Sequence, residues 1–187
     1  MKIGYAFCGS FCTFERSINA LRSLAQRGEE IIPIMSFNAA GIDTRFGRAD
    51  DFKKIIREVC KRDIIETIED AEPLGPRIPL DLLIVSPCTG NTLAKLANGI
   101  TDTPVTMAVK AHLRCDRPLL IALASNDALS ANLANISAML KRKGVYFVPM
   151  VQDDPQNKPH SLGCNFEMLE RCAFAACRGE QIRPLFD

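Results

Sequence analysis

The chain has 187 residues, of which 47% are hydrophobic, 6% are aromatic and 24% are charged, and its formal net charge is +1. This balance provides no electrostatic attraction to nucleic acids or to anionic membranes, so we expect neither as a partner. No apolar run approaches the ~20 residues that a membrane-spanning helix needs. The length suits one α/β domain with a substantial core, and we expect residues 1–187 to form a single domain.

The eight cysteines indicate a reducing compartment. Their spacings match no zinc motif, and a chain of this length does not need disulfides for stability. Several of them, including Cys60, Cys172 and Cys177, fall in helix patterns, where a thiol serves as a small apolar side chain. The N-terminus lacks the apolar core and cleavage site of a signal peptide. We therefore expect a cytoplasmic protein with reduced thiols and no metal site.

Apolar runs alternate with helical patterns along the first half of the chain. The predicted strands are residues 1–8, 29–35, 63–68 (a short one) and 82–85. The predicted helices, from apolar residues at helical spacing, are residues 14–27 and 51–62. The predicted loops are residues 41–48 and 69–79. Ser86-Pro87 is predicted to end the strand at residues 82–85, because proline cannot donate to a ladder.

The same alternation continues to the end of the chain. The further predicted helices are a segment from Leu93 that stops at Gly99, and residues 103–113, 128–143 and 166–178. The further predicted strands are residues 117–124 and 145–150. The polar residues 152–163 are too many for a simple turn and form either a lid or a mobile loop. This order predicts a three-layer, Rossmann-like or flavodoxin-like open parallel sheet with helices on both faces.

Small polar residues at positions 88–92 lie between the carboxyl end of a strand and the amino end of a helix. One interpretation is an ordinary turn in which Thr89 or Asn91 is the N-cap. The other is a ligand site, since ligands in open α/β sheets bind at this edge. Cys88 lies where a helix N-terminus lowers thiol pKa values, so a nucleophilic role is one option. A packed thiol, or a thiol next to the bound ligand, is the other.

Three more polar turns follow predicted parallel strands, at Gly9-Ser10, residues 36–38 and residues 125–127. The carboxyl ends of parallel strands emerge at one edge of a sheet, so the four turns should form one polar crescent. Backbone donors and hydroxyls can hold a phosphate without arginine or lysine. The pattern predicts a ligand with a phosphate, a hydroxylated chain and a flat ring.

The segment Pro87-Cys88-Thr89-Gly90-Asn91-Thr92, continued by Lys95, Ala97, Gly99-Ile100 and Asp102, resembles a known signature. It is the Pro-x-x-x-Asn-Thr loop and Lys-x-Ala-x-Gly-Ile-x-Asp helix of the flavoproteins that include FMN-dependent cysteine decarboxylases and flavin prenyltransferases. The resemblance implies FMN as cofactor. The cofactor-binding residues that it and the crescent suggest are Gly9, Ser10, Phe11, Ser36, Asn38, Ser86, Thr89, Gly90, Asn91, Thr92, Ser125 and Asn126. Asn91 and Cys88 are the candidate catalytic residues.

Within this superfamily, the chain most resembles the family of dipicolinate synthase B subunits, over nearly its full length. The stretches that carry this resemblance are MKIGYAFCGSFCTF, PIMSFNA, SPCTGNT and ALASNDALS. It implies a separate A subunit that binds NAD(P), and a dihydropyridine dicarboxylate that the pair oxidises to dipicolinate. It also implies a role in bacterial sporulation, in the mother-cell cytosol, and a homo-oligomer based on a trimer.

Two alternatives remain at this point. One is a stand-alone FMN enzyme, either a decarboxylase or a prenyltransferase. The decarboxylases carry a catalytic histidine shortly before the strand that leads to the Asn-Thr loop, and this chain has none there, which argues against decarboxylation. The other alternative is a non-catalytic module that stabilises its partner.

The sequence also predicts where several charged residues and one histidine lie relative to the site and to the helix ends. An acidic substrate would favour positive charge at the mouth of the site, and the candidates are Arg45, Arg48, Lys95 and Lys110. His112 is expected at the surface or at a helix end, and Asp127 is expected to cap the helix that follows it. The role of His160 is open.

Overall fold

A mixed sheet of seven strands forms the centre of the fold in the computed structural model, which describes residues 1–152 and 154–186. The strands are β1 (Lys2–Phe7), β2 (Glu30–Met35), β3 (Leu82–Cys88), β4 (Leu119–Ser125), β5 (Val145–Phe147), β6 (Met150–Val151) and β7 (Leu162–Cys164). The helices are α1 (Phe14–Gln26), α2 (Phe37–Gly41), α3 (Ala49–Cys60), α4 (Ile68–Ala71), α5 (Gly90–Ala97), α6 (Pro104–Leu113), α7 (Leu133–Leu140) and α8 (Leu169–Cys177). In the described residues, no helix combines the length and hydropathy that a bilayer crossing requires.

The strand order across the sheet is β2-β1-β3-β4, with β5 and β7 both beside β4. Strands β1 to β5 are parallel, as the alternation of strands and helices predicts. β7 pairs antiparallel with the end of β4, and β6 pairs antiparallel with β7. The predicted flavodoxin-like fold is therefore confirmed, with an antiparallel extension that was not predicted.

Successive side chains of each strand enter two cores on opposite faces of the sheet. In β1, Tyr5 and Phe7 pack in the core that α1, α3 and α8 cover. Ala6 and Cys8 pack in the other core, which includes residues of α4, α5, α6 and α7. Because both faces are covered, the central strands are largely apolar, which is why the sequence shows them as apolar runs.

The chain reverses direction across the sheet at β1. It passes from β1 to β2 on one side and then to β3 on the other. The loops that follow β1 and β3 therefore leave the sheet side by side and diverge onto opposite faces. Such a switch point leaves a crevice at the carboxyl ends of the strands.

Pro87 does not end the third strand, contrary to the prediction. β3 continues through Pro87 to Cys88, and its register with β4 shifts between Val85 and Cys88. Proline is accommodated at such an irregularity because no regular ladder bond is lost there. The carbonyl of Pro87 accepts a hydrogen bond from the backbone N–H of Cys8 at 3.1 Å, which ties β3 to the end of β1.

Other differences from prediction concern short elements. The strand predicted at residues 63–68 is reduced to one bridge between Ile65 and Ile34. The strand predicted at residues 145–150 is divided between β5 and β6. The helix predicted from residue 128 begins only at Leu133. The predicted loops 41–48 and 69–79 are shortened by the ends of α2 and α4.

Candidate functional site

Two adjoining cavities, here called the cleft, occupy the switch point. The first cavity has a volume of about 430 Å³, and its walls come from residues 9–13, 89–91, 124–127 and 161–163, with Phe46 and Lys158. The second has a volume of about 380 Å³ and is lined by Gly9, Ser36, Phe37, Asn38, Thr89, Asn91, Thr92, Lys95, Asp102 and Thr103. Gly9, Thr89 and Asn91 line both cavities, so the two lie side by side at the start of α5.

The start of α5 forms the wall between the two cavities. Thr89 is the N-cap, since its Oγ1 accepts a hydrogen bond from the backbone N–H of Thr92 at 3.1 Å. Of the two capping residues considered, Thr89 rather than Asn91 has this role. Asn91 is exposed at the second position of α5 and lines both cavities. Its amide is therefore available to a ligand in either one.

Ser36 places a hydroxyl in the second cavity. It is the N-cap of α2, and its Oγ accepts from the backbone N–H of Ala39 at 3.3 Å. Asn38, two residues further along, is exposed in the same cavity. Capping and ligand binding are compatible, since a hydroxyl that accepts from a backbone N–H still has a proton to donate.

The loop after β1 supplies the floor of the first cavity. Thr13 Oγ1 donates to the carbonyl of Ser10 at 2.8 Å, which closes the 3-10 turn that leads into α1. The Phe11 ring stacks on Phe14, with centroids 5.5 Å apart. Gly9, Ser10 and Phe11 thus lie on a turn that the core holds in place.

The loop after β4 forms a polar cluster against Gly90. The Asp127 carboxylate accepts hydrogen bonds from Ser125 Oγ and, at 2.9 Å, from Asn132 Nδ2. These two hydrogen bonds lower the pKa of Asp127 and keep it ionised. Asp127 does not cap the next helix, contrary to the prediction, because the chain makes further turns before α7 begins at Leu133. Asn126 is exposed in the wall of the first cavity.

Ser86 is placed under the site and lines neither cavity. Its side chain is fully buried, with its Oγ 3.0 Å from the Tyr5 hydroxyl and 2.9 Å from Ser17 Oγ. This hydroxyl network joins β1, α1 and β3 beneath the cleft. The Ser86 hydroxyl is therefore not available to a ligand in the cleft, whereas the sequence suggested contact with the cofactor.

Cys88 is also fully buried, and burial raises the pKa of its thiol well above the ordinary value. The prediction that a helix N-terminus would lower this pKa is wrong, because desolvation of the thiolate outweighs the effect of the helix. Cys8 lies in the same core, and burial raises the pKa of its thiol to about 11. Both thiols are packing residues.

Of the four cations predicted near the mouth of the site, only Lys95 is among the described lining residues of the cleft. Lys95 lines the second cavity, where its ammonium group pairs with Asp102 at 2.7 Å. The Arg45 guanidinium lies over the Phe46 ring, 4.9 Å from its centroid, and Arg48 is 3.9 Å from Asp43. Lys110 lines a separate groove with Ile100 and is not at the cleft.

Several residues of the first cavity were not predicted as site residues, among them Phe46, Lys158 and Ser161. The sequence predicted a loop at residues 41–48 and a lid or mobile loop at residues 152–163, but neither segment contained a motif for a role. Among the described residues, no group of three or more His, Cys, Asp or Glu side chains is arranged to hold a metal ion.

His112 lies in the last turn of α6, at one of the two predicted positions, but its side chain is buried and not at the surface. Its Nε2 lies 2.8 Å from the carbonyl oxygen of Pro118, so this nitrogen carries the proton. The other ring nitrogen, Nδ1, has no hydrogen-bond partner among the described residues. Burial lowers the pKa of His112 below its usual value, and Arg117 adds to this effect.

Comparisons with known proteins agree with the motif. The Flavoprotein family profile matches residues 1–168. The dipicolinate synthase B subunit of Bacillus subtilis (strain 168) is 38% identical over 184 residues, which are 98% of this chain and 92% of that protein. The crystal structure of the dipicolinate synthase B subunit from Bacillus halodurans C aligns with 100% of this chain and 95% of its own, at 35% identity and a TM-score of 0.91.

More distant structures share the fold alone. The FMN-dependent cysteine decarboxylase SpaF aligns with 95% of this chain and 97% of its own, at 23% identity and a TM-score of 0.69. The resemblance first seen in residues 87–102 therefore extends over the whole fold. The chain belongs to the flavoprotein family, and its similarity to the Bacillus dipicolinate synthase B subunits covers nearly all of its length.

Proposed function

We propose that the chain is the FMN-binding B subunit of a dipicolinate synthase, with the cofactor in the cleft. The observation that carries this proposal is the convergence of polar loops from separate strands. Ser36, after β2, and Asn91, after β3, line one cavity together with Gly9, after β1. These loops are far apart in the sequence, and a single phosphorylated, ring-bearing ligand would account for their common polarity.

The donors in the cleft fit FMN. Gly9, Ser10, Ser36 and Asn38 supply backbone and side-chain donors suited to the phosphate and the ribityl chain. Thr89, Gly90, Asn91 and Thr92 would face the ring or a neighbouring substrate, and Ser125 and Asn126 would contact the ring from the loop after β4. The phosphate needs no arginine, since hydroxyls and backbone N–H groups suffice.

FMN, when bound, supplies reversible two-electron redox chemistry, which suits oxidation of a dihydropyridine dicarboxylate to an aromatic product. The chain's own residues would position the reactants. Asn91 can donate its amide to either ligand because it lines both cavities. The Ser125–Asp127–Asn132 cluster would fix the adjoining wall of the first cavity, where it packs against Gly90. Cys88 takes no part, because it is fully buried.

We also propose a separate A subunit that binds NAD(P), in the mother-cell cytosol of a sporulating bacterium. The name of the Bacillus subtilis relative, the B subunit of a synthase, supports the need for a partner. A substrate from the dihydrodipicolinate pathway would be oxidised by the two subunits together. This chain would provide the flavin site, and the partner would provide the nicotinamide site.

Homo-oligomerisation, based on a trimer, is part of the same proposal. Phe46 lines the first cavity and Phe37 the second, and they are 47% and 50% exposed. Large apolar side chains at a rim are suited to burial by a second copy of the chain. Light scattering on the purified chain would measure the assembly.

Reconstitution tests the proposed reaction. The purified chain, a purified A subunit, FMN and NAD(P)⁺ are mixed with the dihydropyridine dicarboxylate, and dipicolinate is measured by its absorbance. We expect product only when both subunits are present, and less product when FMN is withheld.

Two outcomes would contradict the proposal. Cysteine decarboxylation or flavin prenylation by the chain alone would identify a stand-alone enzyme. Full synthase activity of the A subunit, unaffected by FMN or by this chain, would leave only a stabilising role. The lining of the cleft argues against decarboxylation, since no histidine is among its described residues.

A further inference from the structure

We propose that Lys158 binds one carboxylate of the substrate in the first cavity and so selects pyridine dicarboxylates over monocarboxylates. This inference rests on the proposed function, because it assumes that a small dicarboxylate occupies the space beside the flavin. It assigns a specificity role to a residue of the loop between β6 and β7.

The backbone around Lys158 is held in place by hydrogen bonds on both sides. The N–H of Lys158 donates to the carbonyl of Asp154 at 2.8 Å, and the N–H of Ser161 donates to the carbonyl of Lys158 at 3.1 Å. Gln152 Nε2 donates to the carbonyl of Pro159 at 2.7 Å. The loop therefore presents Lys158 at the cavity wall from a structured turn.

A second set of contacts joins this loop to the loop after β4. The N–H of Leu129 donates to the carbonyl of His160 at 2.9 Å, and Ser161 Oγ lies 3.4 Å from the carbonyl of Asn126. Lys158 is thus connected to the same wall that holds Asp127. The two loops form one side of the first cavity, opposite the loop after β1.

The charges of the residues that line the first cavity support a role for Lys158 in binding an anionic substrate. Among the described residues that line the first cavity, Lys158 is the only cation and Asp127 is the only carboxylate. Asp127 stays ionised, since Ser125 and Asn132 donate to it. A dianionic ligand would be repelled by this carboxylate unless a cation were present on the same wall. Lys158 meets that requirement.

The other candidate cations are less suitable for this role. Lys95 lies in the second cavity, and its ammonium group is already 2.7 Å from Asp102. Arg45 and Arg48 make contacts with Phe46 and Asp43. Lys110 is in a different groove. The ammonium group of lysine is a flexible point charge, which suits a carboxylate whose position shifts during oxidation of the ring.

The test compares two ligands that differ by one carboxylate, dipicolinate and picolinate. Their affinities for the full-length, FMN-loaded chain are measured by isothermal titration, for the wild type and for Lys158→Gln, Lys158→Arg and Lys143→Gln. We expect Lys158→Gln to weaken dipicolinate binding about tenfold and to leave picolinate binding almost unchanged, since one charge-assisted contact is lost. Lys158→Arg should retain the preference. Lys143, an exposed lysine outside the cleft, provides the matched control.

The flavin absorbance of each variant is recorded in the same samples. If Lys158→Gln keeps the wild-type preference for dipicolinate, or if the wild type has no such preference, the inference is wrong even though FMN binds and the proposed function stands. If the chain does not bind FMN but prefers dipicolinate through Lys158, the proposed function fails and the carboxylate site remains.

Discussion

His112 shows how the surroundings of one side chain can make stability depend on pH. It lies in the last turn of α6 and is fully buried, with Nδ1 unpartnered among the described residues. A proton on Nδ1 would place an unpaired charge in the core, so burial lowers the pKa of His112 in the folded chain. The unfolded chain therefore binds this proton more readily than the folded chain.

We expect the free energy of unfolding to fall as the pH drops below about 6.5, where an unfolded histidine takes up its proton. Above that pH the residue is neutral in both states and contributes no slope. Urea unfolding at pH 7.5 and pH 5.5 would measure the loss. His112→Gln should reduce it, since glutamine can still donate to Pro118 but does not titrate. His160→Gln, at an exposed position, is the control, and an unchanged loss in His112→Gln would refute this account.

Some individual residues of the candidate site could be predicted from the sequence, and others could not. Ser36, Thr89 and Asn91 were predictable because each follows a strand at a position where the chain must turn toward the ligand edge. Ser86 and Cys88 belong to the same motif, but the backbone turns their side chains into the core, where both are fully buried. The register of β3 with β4 shifts between Val85 and Cys88, and a sequence does not display such an irregularity.

At the scale of elements, α5 is held against the loop after β4 through Gly90. A Cβ atom at this position would lie 2.3 Å from Ser125 Oγ, 2.6 Å from Asn132 Nδ2 and 2.8 Å from Asp127 Oδ1. Glycine is thus required so that the polar cluster can approach the first turn of α5. Two adjoining walls of the first cavity, the start of α5 and the loop after β4, meet at this contact.

We expect Gly90→Ala to destabilise the fold by about 1–3 kcal/mol, the usual cost of overpacking. The displaced loop should also weaken FMN binding. Gly41→Ala, at the end of α2, is the matched control, since no atom lies within 4 Å of its added Cβ. Urea unfolding and flavin titration would measure both effects. Wild-type stability in Gly90→Ala would contradict this view of the contact.

Long buried elements were predicted better than short ones. The parallel strands and α1, α3, α6 and α8 follow from apolar periodicity, because burial on one or two faces determines their sequences. β6 and β7 have two and three residues and depend on pairing with the end of β4, so local sequence carries little information about them. The late start of α7 reflects the turns around Asp127, where tertiary hydrogen bonds override helix propensity.

At the scale of the whole molecule, the switch point in the sheet brings the separate loops together. The chain leaves β1 toward β2 and later returns to the other side of β1 as β3. This topology, and no single residue, creates the crevice where Gly9, Ser36 and Asn91 meet. The order of strands and helices in the sequence was enough to predict that meeting. The charges of its walls, in particular Lys158, required the structure.

The most direct test of this account is a titration of the full-length chain with FMN, followed by flavin absorbance and fluorescence. We predict one FMN per chain for the wild type. Asn91→Ala should bind FMN about three- to tenfold more weakly, because an exposed amide donor is lost without damage to the core. Ser86→Ala should bind FMN like the wild type, since its hydroxyl lies beneath the cleft. A wild-type chain that does not bind FMN, or one whose affinity falls with Ser86→Ala but not with Asn91→Ala, would contradict the account.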